Sequence, residues 1–581
     1  MDSGKPEDAW DHQFDVVVVG SGAGGMTAAL CAQSLGLSAL LVEKSDRYGG
    51  TSAVSGGGIW IPCNDQIEGL GGSDSYDEAF RYLKSLIGDE VPQDRIEAYL
   101  RSAPEMVRFL ERRFGIGFDA VKRYPDYFPD KPGGKPGYRT MEPRQFDAAR
   151  LGELFDQQRE PYKGTQLMGR ISMNQVEAHT LFTRGAGWIW LTLKMMARYW
   201  LDFGWRRRSA RDRRQTLGQA LVASLRHAMA QHQVPLWLDT ALDDVVEIDG
   251  RVAGVVVRQN GKSVRVGAAR GVVLASGGFE SNQRMREQYL PKPTQSAWTA
   301  APPINHGDGI RIGQSLGADV AFMNLTWGSP TMKVPGAVAA AGLFVERGLP
   351  GCVMVNQRGQ RFVNEAAPYT EIVYAIYRDH EKSGATVPCW LVFDADFRRK
   401  YPMGPMLPGS IQPDRKLPRD WLDTVYWRAD TLDALAAKIG VDAVGLRDSV
   451  SRIAQFSKAG SDADFGKGDT VFDRYYSDPS VSPNPCLAPI AKPPFYAVRV
   501  EPGELGTKGG LLTDASARVL RKDGSVIAGL YAIGNCSAAV MGRTYAGPGA
   551  TLGPAMSFGY IAAHDMAGVA LAGAATVARA A

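Results

Sequence analysis

Gly20, Gly22 and Gly25, followed by Glu43, are the residues whose type and spacing first suggest chemistry. Gly20 permits a tight turn, Gly22 lets the backbone approach a pyrophosphate, and Gly25 lets the helix that opens there pack on a sheet. Ala23 and Gly24 complete the turn, and the helix start offers N–H groups to phosphate. The elements that must position them follow in order. Val16 to Val19 read as a buried strand of a parallel sheet, and residues 37–42 as a second strand that ends at Glu43. A carboxylate there can accept both hydroxyls of an unphosphorylated adenosine ribose. Strand, glycines, helix, strand and acid together point to a bound dinucleotide.

Lys44 follows, and then Tyr48-Gly49-Gly50-Thr51-Ser52-Ala53-Val54-Ser55-Gly56-Gly57-Gly58. Its small residues suit a cofactor that extends past the first strand ends, as FAD does. The loop has no histidine to bond the flavin ring, so noncovalent FAD is expected. Residues 271–275 form another strand running into Ser276-Gly277-Gly278. Asn305-His306-Gly307-Asp308-Gly309 opens a helix whose start can help hold the diphosphate. Residues 529–535 repeat the first motif, apolar residues running into Gly534 and Asn535. Thr551 and Leu552 open a long helix to about Ala570, whose N-terminus suits the negative end of a reduced flavin.

A chain of 581 residues exceeds one comfortable core, so two domains interleaved in sequence are expected. A hydrophobic share of 44% with 22% charged residues is that of a folded globular protein. The net charge of +4 gives no reason to expect a nucleic-acid partner. Cys31, Cys63, Cys352, Cys389, Cys486 and Cys536 have no CxxC spacing and the histidines form no run, so no metal is expected and a reduced compartment fits. Met1 to Gln13 is polar and acidic and does not read as a signal peptide.

Residues 75–118 carry helical periodicity. Tyr124-Pro125-Asp126-Tyr127-Phe128-Pro129-Asp130-Lys131-Pro132-Gly133-Gly134 ends it, and the aromatics of this loop suit the lining of an apolar space. Residues 187–205 read GWIWLTLKMMARYWLDFGW, and Arg206, Arg207, Arg208, Arg211, Arg213 and Arg214 follow. Lys194, Arg198 and Asp202 fall at i, i+4 and i+8, on one narrow face of a helix with a wide apolar surface around the rest. The span is too charged to cross a membrane but suits a segment lying in the interface, with tryptophans at headgroup depth and arginines toward anionic lipid. A subunit contact and an internal helix are the alternatives. Residues 234–238, 241–248 and 251–258 read as short strands, with Asp249-Gly250 as a turn. Residues 302–496 lack a second dinucleotide motif and read as a domain inserted between 1–301 and 497–581. Within it, Arg361-Phe362-Val363-Asn364-Glu365-Ala366-Ala367-Pro368-Tyr369 leads from a polar start to a tyrosine.

GSGAGG at 20–25, YGGTSAVSGG at 48–57, YPDYFPDKPGG at 124–134, RFVNEAAPY at 361–369 and GNCSAAVMGRTYAGPGATLGPAM at 534–556 carry a resemblance. The chain resembles the FAD-dependent 3-ketosteroid Δ1-dehydrogenases, within the fumarate reductase and succinate dehydrogenase flavoproteins. The resemblance implies an α/β fold, a Rossmann-like FAD-binding domain with an inserted α+β catalytic domain. It implies removal of hydrogens from C1 and C2 of a 3-keto-4-ene steroid, with FAD accepting the C1 hydride. Tyr369 corresponds to the base for the C2 proton and Tyr127 to a tyrosine that assists it through a hydrogen bond; Tyr124, which flanks the same proline, is the alternative. Tyr545 and the N–H of Gly549 correspond to the pair that holds the C3 oxygen. The segment Trp188 to Arg214 resembles membrane-surface forms that act on sterols with a long side chain, such as cholest-4-en-3-one. That implies peripheral association with the cytoplasmic side of the cytoplasmic membrane, with a quinone or another electron acceptor. Oligomeric state is left open. The alternatives are a 3-oxo-5α-steroid 4-dehydrogenase, a fumarate-reductase-like enzyme using Arg543 or Arg361, and a membrane-attached flavin protein that moves electrons or binds sterols.

The implied chemistry is sound on its own terms. A C–H bond beside a ketone is acidic because its carbanion delocalises into an enolate, and each donor on the oxygen contributes roughly 3 kcal/mol. A tyrosine, with a reference pKa of about 10, becomes a base only where neighbours favour its anion. Tyr127 and an adjacent helix terminus are the candidates.

Overall fold

The computed structural model describes residues 10–571. Residues 1–9 of the expected non-signal leader, and those after 571, lie outside the described residues. The four valines end the strand His12–Val19, which lies in the middle of an eight-stranded sheet. Val16 and Val18 enter one hydrophobic core and Val17 and Val19 the other, as strand alternation requires. On one side the strand pairs in parallel with Ala39–Val42, which pairs with Leu236–Trp237. On the other it pairs in parallel with Lys262–Leu274.

Lys262–Leu274 serves two partners along its length. Its first half runs antiparallel to Arg251–Gln259, itself paired with Thr240–Ile248, and its second half runs parallel to Val526–Ala532. Only residues 271–275 are legible as this strand in the sequence, because Gly267 and Gly271 interrupt the apolar pattern.

The helices Ala23–Ser34 and Leu552–Ala567 pack on one face of the sheet, with Gln93–Phe114 beyond. The first begins at Ala23, two residues before the expected start at Gly25. The first two cross at glycines. A Cβ on Gly24 would lie 2.8 Å from the Ala555 carbonyl oxygen, and one on Gly559 would lie 2.7 Å from that of Gly24. This close crossing brings the start of the C-terminal helix beside the first glycine turn.

A second sheet runs Ala341–Gly342, Thr326–Met332, Phe495–Thr507, Cys389–Phe393, Cys352–Val355, with Trp427–Ala429 also on Phe495–Thr507; its neighbours are antiparallel. The helix Tyr369–Ser383 packs against Thr326–Met332. Another face joins Val353, Val355 and Val392 to Leu435 and Ala436 of Leu432–Ile439 and to Leu446 and Ile453 of Ala443–Ala459. Phe495–Thr507 stays in this sheet throughout, so a division at 496/497 falls inside one strand.

The tryptophan-rich segment forms two helices, Trp188–Leu201 and Phe203–Arg208, where the sequence suggested one. They part at Asp202, whose carboxylate accepts the Trp205 N–H at 3.2 Å and caps the second helix. Met195 and Tyr199 turn inward onto Ile171 and Met173. Trp205 is buried against Phe155, which corrects the expectation that it lies at headgroup depth. Ile189, Trp190, Leu193, Trp200, Leu201 and Phe203 are exposed, Trp190 to 73%. Most of the arginines are engaged within the fold. Arg211 donates to Gln158 and Gln219 at 2.9 and 3.0 Å, and Arg213 and Arg214 pair with Asp147 and Glu177, each at 2.7 Å. Among the described residues no helix is long and apolar enough to cross a membrane.

Candidate active site

Three tyrosines from distant parts of the sequence meet in one cluster. The rings of Tyr127 and Tyr369 lie 5.5 Å apart, Tyr127 and Tyr545 5.0 Å, and Tyr369 and Tyr545 5.7 Å, all edge to face. Phe472, Phe344 and Trp327 close around them. Each tyrosine is delivered by a different device.

Tyr127 sits on the proline-broken loop, which is pinned from both sides. Its N–H donates to the Ala546 carbonyl at 3.0 Å, and the Tyr82 hydroxyl donates to the same oxygen at 2.6 Å. One residue earlier, Asp126 accepts from Trp60 Nε1 at 2.7 Å and from Arg139 at 2.8 Å, and Arg139 also holds Asp74 at 2.7 Å. Arg139 and both carboxylates are almost wholly buried. Tyr124 goes elsewhere. It stacks on Tyr475 at 4.6 Å and accepts from the Tyr476 hydroxyl at 3.2 Å.

Tyr369 is the first residue of the helix Tyr369–Ser383, directly after Pro368, where proline naturally precedes a helix. The turn before it is fixed by a buried ionic group. Arg361 pairs with Glu365 at 2.8 Å and Asp462 at 2.7 Å, and Lys467 reaches Glu365 at 3.3 Å.

Tyr545 lies in the turn before the C-terminal helix. Thr551 Oγ1 donates to its hydroxyl at 3.2 Å, and the Gly549 amide acts to lower its pKa. Gly549 has φ +94°, and a Cβ there would lie 2.6 Å from Gly58, so only glycine fits this turn. Upstream, the buried ammonium of Lys508 donates to the carbonyls of Arg543 and Thr544 at 2.6 and 2.5 Å and lies 4.5 Å from the Trp327 ring centroid.

Burial raises the pKa of all three phenols. For Tyr369, Tyr545 adds to the rise, whereas a hydrogen bond from Tyr127 acts to lower it. Gly549 and Thr551 act the same way on Tyr545.

The nucleotide-side residues gather at the sheet's carboxyl end. The Gly20 N–H donates to the Val42 carbonyl at 2.8 Å, Gly22 caps the first helix, and a Cβ on Gly25 would lie 2.1 Å from the Gly20 oxygen. The Ala23 N–H is taken by Ser52 Oγ at 3.0 Å. Glu43 accepts the Ser21 N–H at 3.0 Å, the Ser21 hydroxyl at 2.7 Å and the Ser45 N–H at 3.0 Å. An ionised carboxylate has about four acceptor sites, so these three bonds leave Glu43 room for a further donor.

Lys44 and Asp308 form an ion pair at 2.6 Å. Thr51 Oγ1 accepts from Asn305 at 2.9 Å, and Ser55 Oγ donates to the Ser52 carbonyl at 2.8 Å. Gly57 packs against Leu217, Gly277 against Asn305 and Gly278 against Thr507. Gly534 has φ +60°, and Asn535 accepts the Trp327 indole N–H at 2.9 Å. Leu552 opens the C-terminal helix after Thr551.

A Cβ added at Gly50 or Gly56 would meet nothing within 4 Å, and at Gly22 nothing nearer than Ser52 Oγ at 3.5 Å. These glycines front open space, as a cradle for a cofactor requires. Asn535, Ser537, Thr551 and Pro554 line a cavity together with Trp327, which touches Tyr545. The chain therefore joins a nucleotide cradle to a tyrosine cluster.

The family model of the FAD-binding domain matches residues 15–552. The 3-oxosteroid 1-dehydrogenase of Comamonas testosteroni is 44% identical over 96% of this chain and 97% of its own length. The chain belongs to the 3-oxosteroid 1-dehydrogenase family. It therefore has the FAD-binding Rossmann-like domain with an inserted catalytic domain, and its cofactor is FAD. The crystal structure of 3-ketosteroid Δ1-dehydrogenase from Sterolibacterium denitrificans, in complex with 1,4-androstadiene-3,17-dione, superposes with a TM-score of 0.94. It is 53% identical and covers 96% of this chain and 100% of its own. The 3-ketosteroid-Δ4-(5α)-dehydrogenase of Rhodococcus jostii, at 22% identity and a TM-score of 0.65 over 97% of this chain and 98% of its own, shares the fold alone.

This family member's sequence hid part of the site. Trp327 lies on a strand buried along its whole length, whose sequence TWGSPTM has no alternation to betray it. Phe344, Phe472 and Arg347 stand in segments without motif character.

Proposed function

We propose that the chain removes the C1 and C2 hydrogens of 3-keto-4-ene steroids, giving 1,4-dien-3-ones, with Tyr369 as base. The observation that carries the assignment of roles is the packing of Tyr369 against both Tyr127 and Tyr545, with Thr551 on the Tyr545 hydroxyl. FAD, when bound, supplies the acceptor for the C1 hydride. Tyr545 and the Gly549 N–H hold the C3 oxygen and stabilise charge as it develops. Tyr369 takes the C2 proton, and Tyr127 supports its anion through a hydrogen bond. The pocket's aromatic walls exclude water and suit a flat, neutral substrate. The two arginines considered for fumarate-type chemistry are engaged elsewhere, Arg361 between Glu365 and Asp462 and Arg543 with Glu90 at 2.7 Å, and the tyrosine-rich walls suit a neutral substrate better.

The proposal extends to a noncovalent flavin, held by Gly20, Gly22, Ala23, Gly24, Gly25, Glu43, Lys44, Gly50, Thr51, Ser52, Ser55, Gly56, Gly57, Gly277, Gly278, Asp308, Gly534, Asn535, Thr551 and Leu552. It extends also to a division into 1–301, 302–496 and 497–581, and to docking of Trp188 to Arg214 on the cytoplasmic face of a membrane. The exposed row from Ile189 to Phe203 supports that last point, and it would give a long-chained sterol and a quinone a common approach. Anaerobic mixing with cholest-4-en-3-one is the test. Flavin bleaching with loss of two hydrogens and a dienone spectrum is expected. Bleaching with androst-4-ene-3,17-dione alone would move the specificity to steroids lacking the side chain, and bleaching with neither would overturn the reading.

A further inference from the structure

Lys508 is wholly buried, directly after the strand Phe495–Thr507, and among the described residues its ammonium is in ion-pair contact with no carboxylate. Arg139, Arg361 and Lys467, by contrast, each pair with a buried carboxylate. The ammonium of Lys508 donates instead to the carbonyls of three successive residues, Gly542 at 3.4 Å, Arg543 at 2.6 Å and Thr544 at 2.5 Å, and Tyr545 comes next in the chain. The same ammonium lies 4.5 Å from the Trp327 ring centroid, and that ring meets the Tyr545 ring at 4.7 Å.

The backbone of Lys508 joins the same two elements. Its N–H donates to the Leu325 carbonyl at 3.0 Å, two residues before Trp327, and its carbonyl accepts the Ala539 N–H at 3.1 Å, at the start of the loop that leads into Tyr545. One residue thus staples the strand Thr326–Met332 to the 539–545 loop twice, and both routes end on the same phenol. The residue type has a physical reason. An ammonium presents three donors and can satisfy three carbonyls at once, with the indole face as a fourth contact. A neutral side chain of that length leaves buried carbonyls unpaired. The Arg543 carbonyl also accepts the Tyr374 hydroxyl at 2.7 Å, from the helix that begins at Tyr369, so the turn before Tyr545 is tied to the base's helix as well.

We infer that Lys508 is a positioning residue for the carbonyl-holding phenol: through the 542–544 turn and through Trp327 it sets where the Tyr545 hydroxyl stands. This rests on Tyr545 holding the C3 oxygen. Lys508 need not touch the steroid. A donor on that oxygen matters most as charge develops there, so its misplacement is felt in turnover more than in binding.

The test is a double-mutant cycle on the holoenzyme, with kcat and KM for androst-4-ene-3,17-dione measured for Lys508→Met, Lys508→Gln, Lys508→Arg, Tyr545→Phe and each neutral variant combined with Y545F. K508M and K508Q should lower kcat roughly 10- to 100-fold, with KM within about threefold of the parent and flavin content and visible spectrum unchanged. In the Y545F background, which has no hydroxyl left to misplace, the same substitutions should cost less than about threefold. K508R, which keeps the charge and its donors, should retain several-fold more activity than K508M. A loss that multiplies in full on that of Y545F, or neutral variants within about twofold of the parent, overturns the inference. Failure of both neutral variants to load flavin overturns it as well, because the lysine would then serve the fold at large. A Y545F enzyme with the parent's kcat overturns the reading of Tyr545 itself, so the two failures are distinct.

Discussion

The tyrosine cluster and the surface helices 188–208 are both rich in aromatic and cationic residues, yet the fold treats them in opposite ways. Around the cluster the cations are buried and fully engaged: Arg139 with two carboxylates, Arg361 with two more, Lys508 and Arg347 with carbonyls. Each fixes a turn that carries one of the tyrosines. In the surface helices only small satellite cores hold the backbone, through Met195, Tyr199 and Trp205 with Leu191 and Met196 packed beside them, and Ile189, Trp190, Leu193, Trp200, Leu201 and Phe203 are exposed. One region is constrained on every side because a proton transfer tolerates little misplacement. The other is left with an apolar face that none of the described residues covers.

Removing the phenols tests the first region most severely. Tyr369→Phe should lower kcat by about 10²–10⁴-fold, the usual worth of a positioned base, and Tyr545→Phe by about 10²–10³-fold. Both should keep bound flavin, read from the visible spectrum. A Y545F enzyme with unchanged kcat would remove the carbonyl-holding role.

The ionic supports should separate next. Arg139→Met leaves two buried carboxylates without their cation and should cost about 3–5 kcal/mol in chemical unfolding. Arg213→Ala breaks a half-exposed pair with Asp147 and should cost about 0–1 kcal/mol. Similar losses for the two would dissolve the contrast between the regions.

The smallest effect on chemistry is expected from Trp190→Asp combined with Trp200→Asp. Turnover of androst-4-ene-3,17-dione should stay within twofold of the parent, while sedimentation with anionic vesicles should drop several-fold. Undiminished sedimentation would assign the exposed row to another partner.

Much of the nucleotide half is legible in the sequence because its rules are local. Four valines, a glycine turn and an acid lie within thirty residues and need no distant partner to be understood. The expected second strand and C-terminal helix also form, as Ala39–Val42 and Leu552–Ala567. The three tyrosines became visible through family motifs, and their convergence depends on folding across hundreds of residues. Other features left no local trace. Glu43 reads as a free ribose acceptor until Ser21 and Ser45 are seen to occupy it. Asp202 reads as a helix-face charge until it is seen to cap the next helix. Arg347 has ordinary neighbours in sequence, and its meaning lies in which carbonyls surround it.

The strand Phe495–Thr507 has a mechanical consequence. One end pairs with Trp427–Ala429 and Cys389–Phe393 far out in the inserted sheet, and the other reaches Thr507, whose hydroxyl accepts the Phe279 N–H at 3.1 Å beside the nucleotide-side glycines. This thirteen-residue strand thus links the two halves by continuous backbone, with one break in its pairing at Leu505 and Gly506. A strand of this kind ties the register of the inserted sheet directly to the nucleotide-side turns. Phe344, exposed at 37% and packed on Tyr369, stands where the aromatic cluster meets solvent.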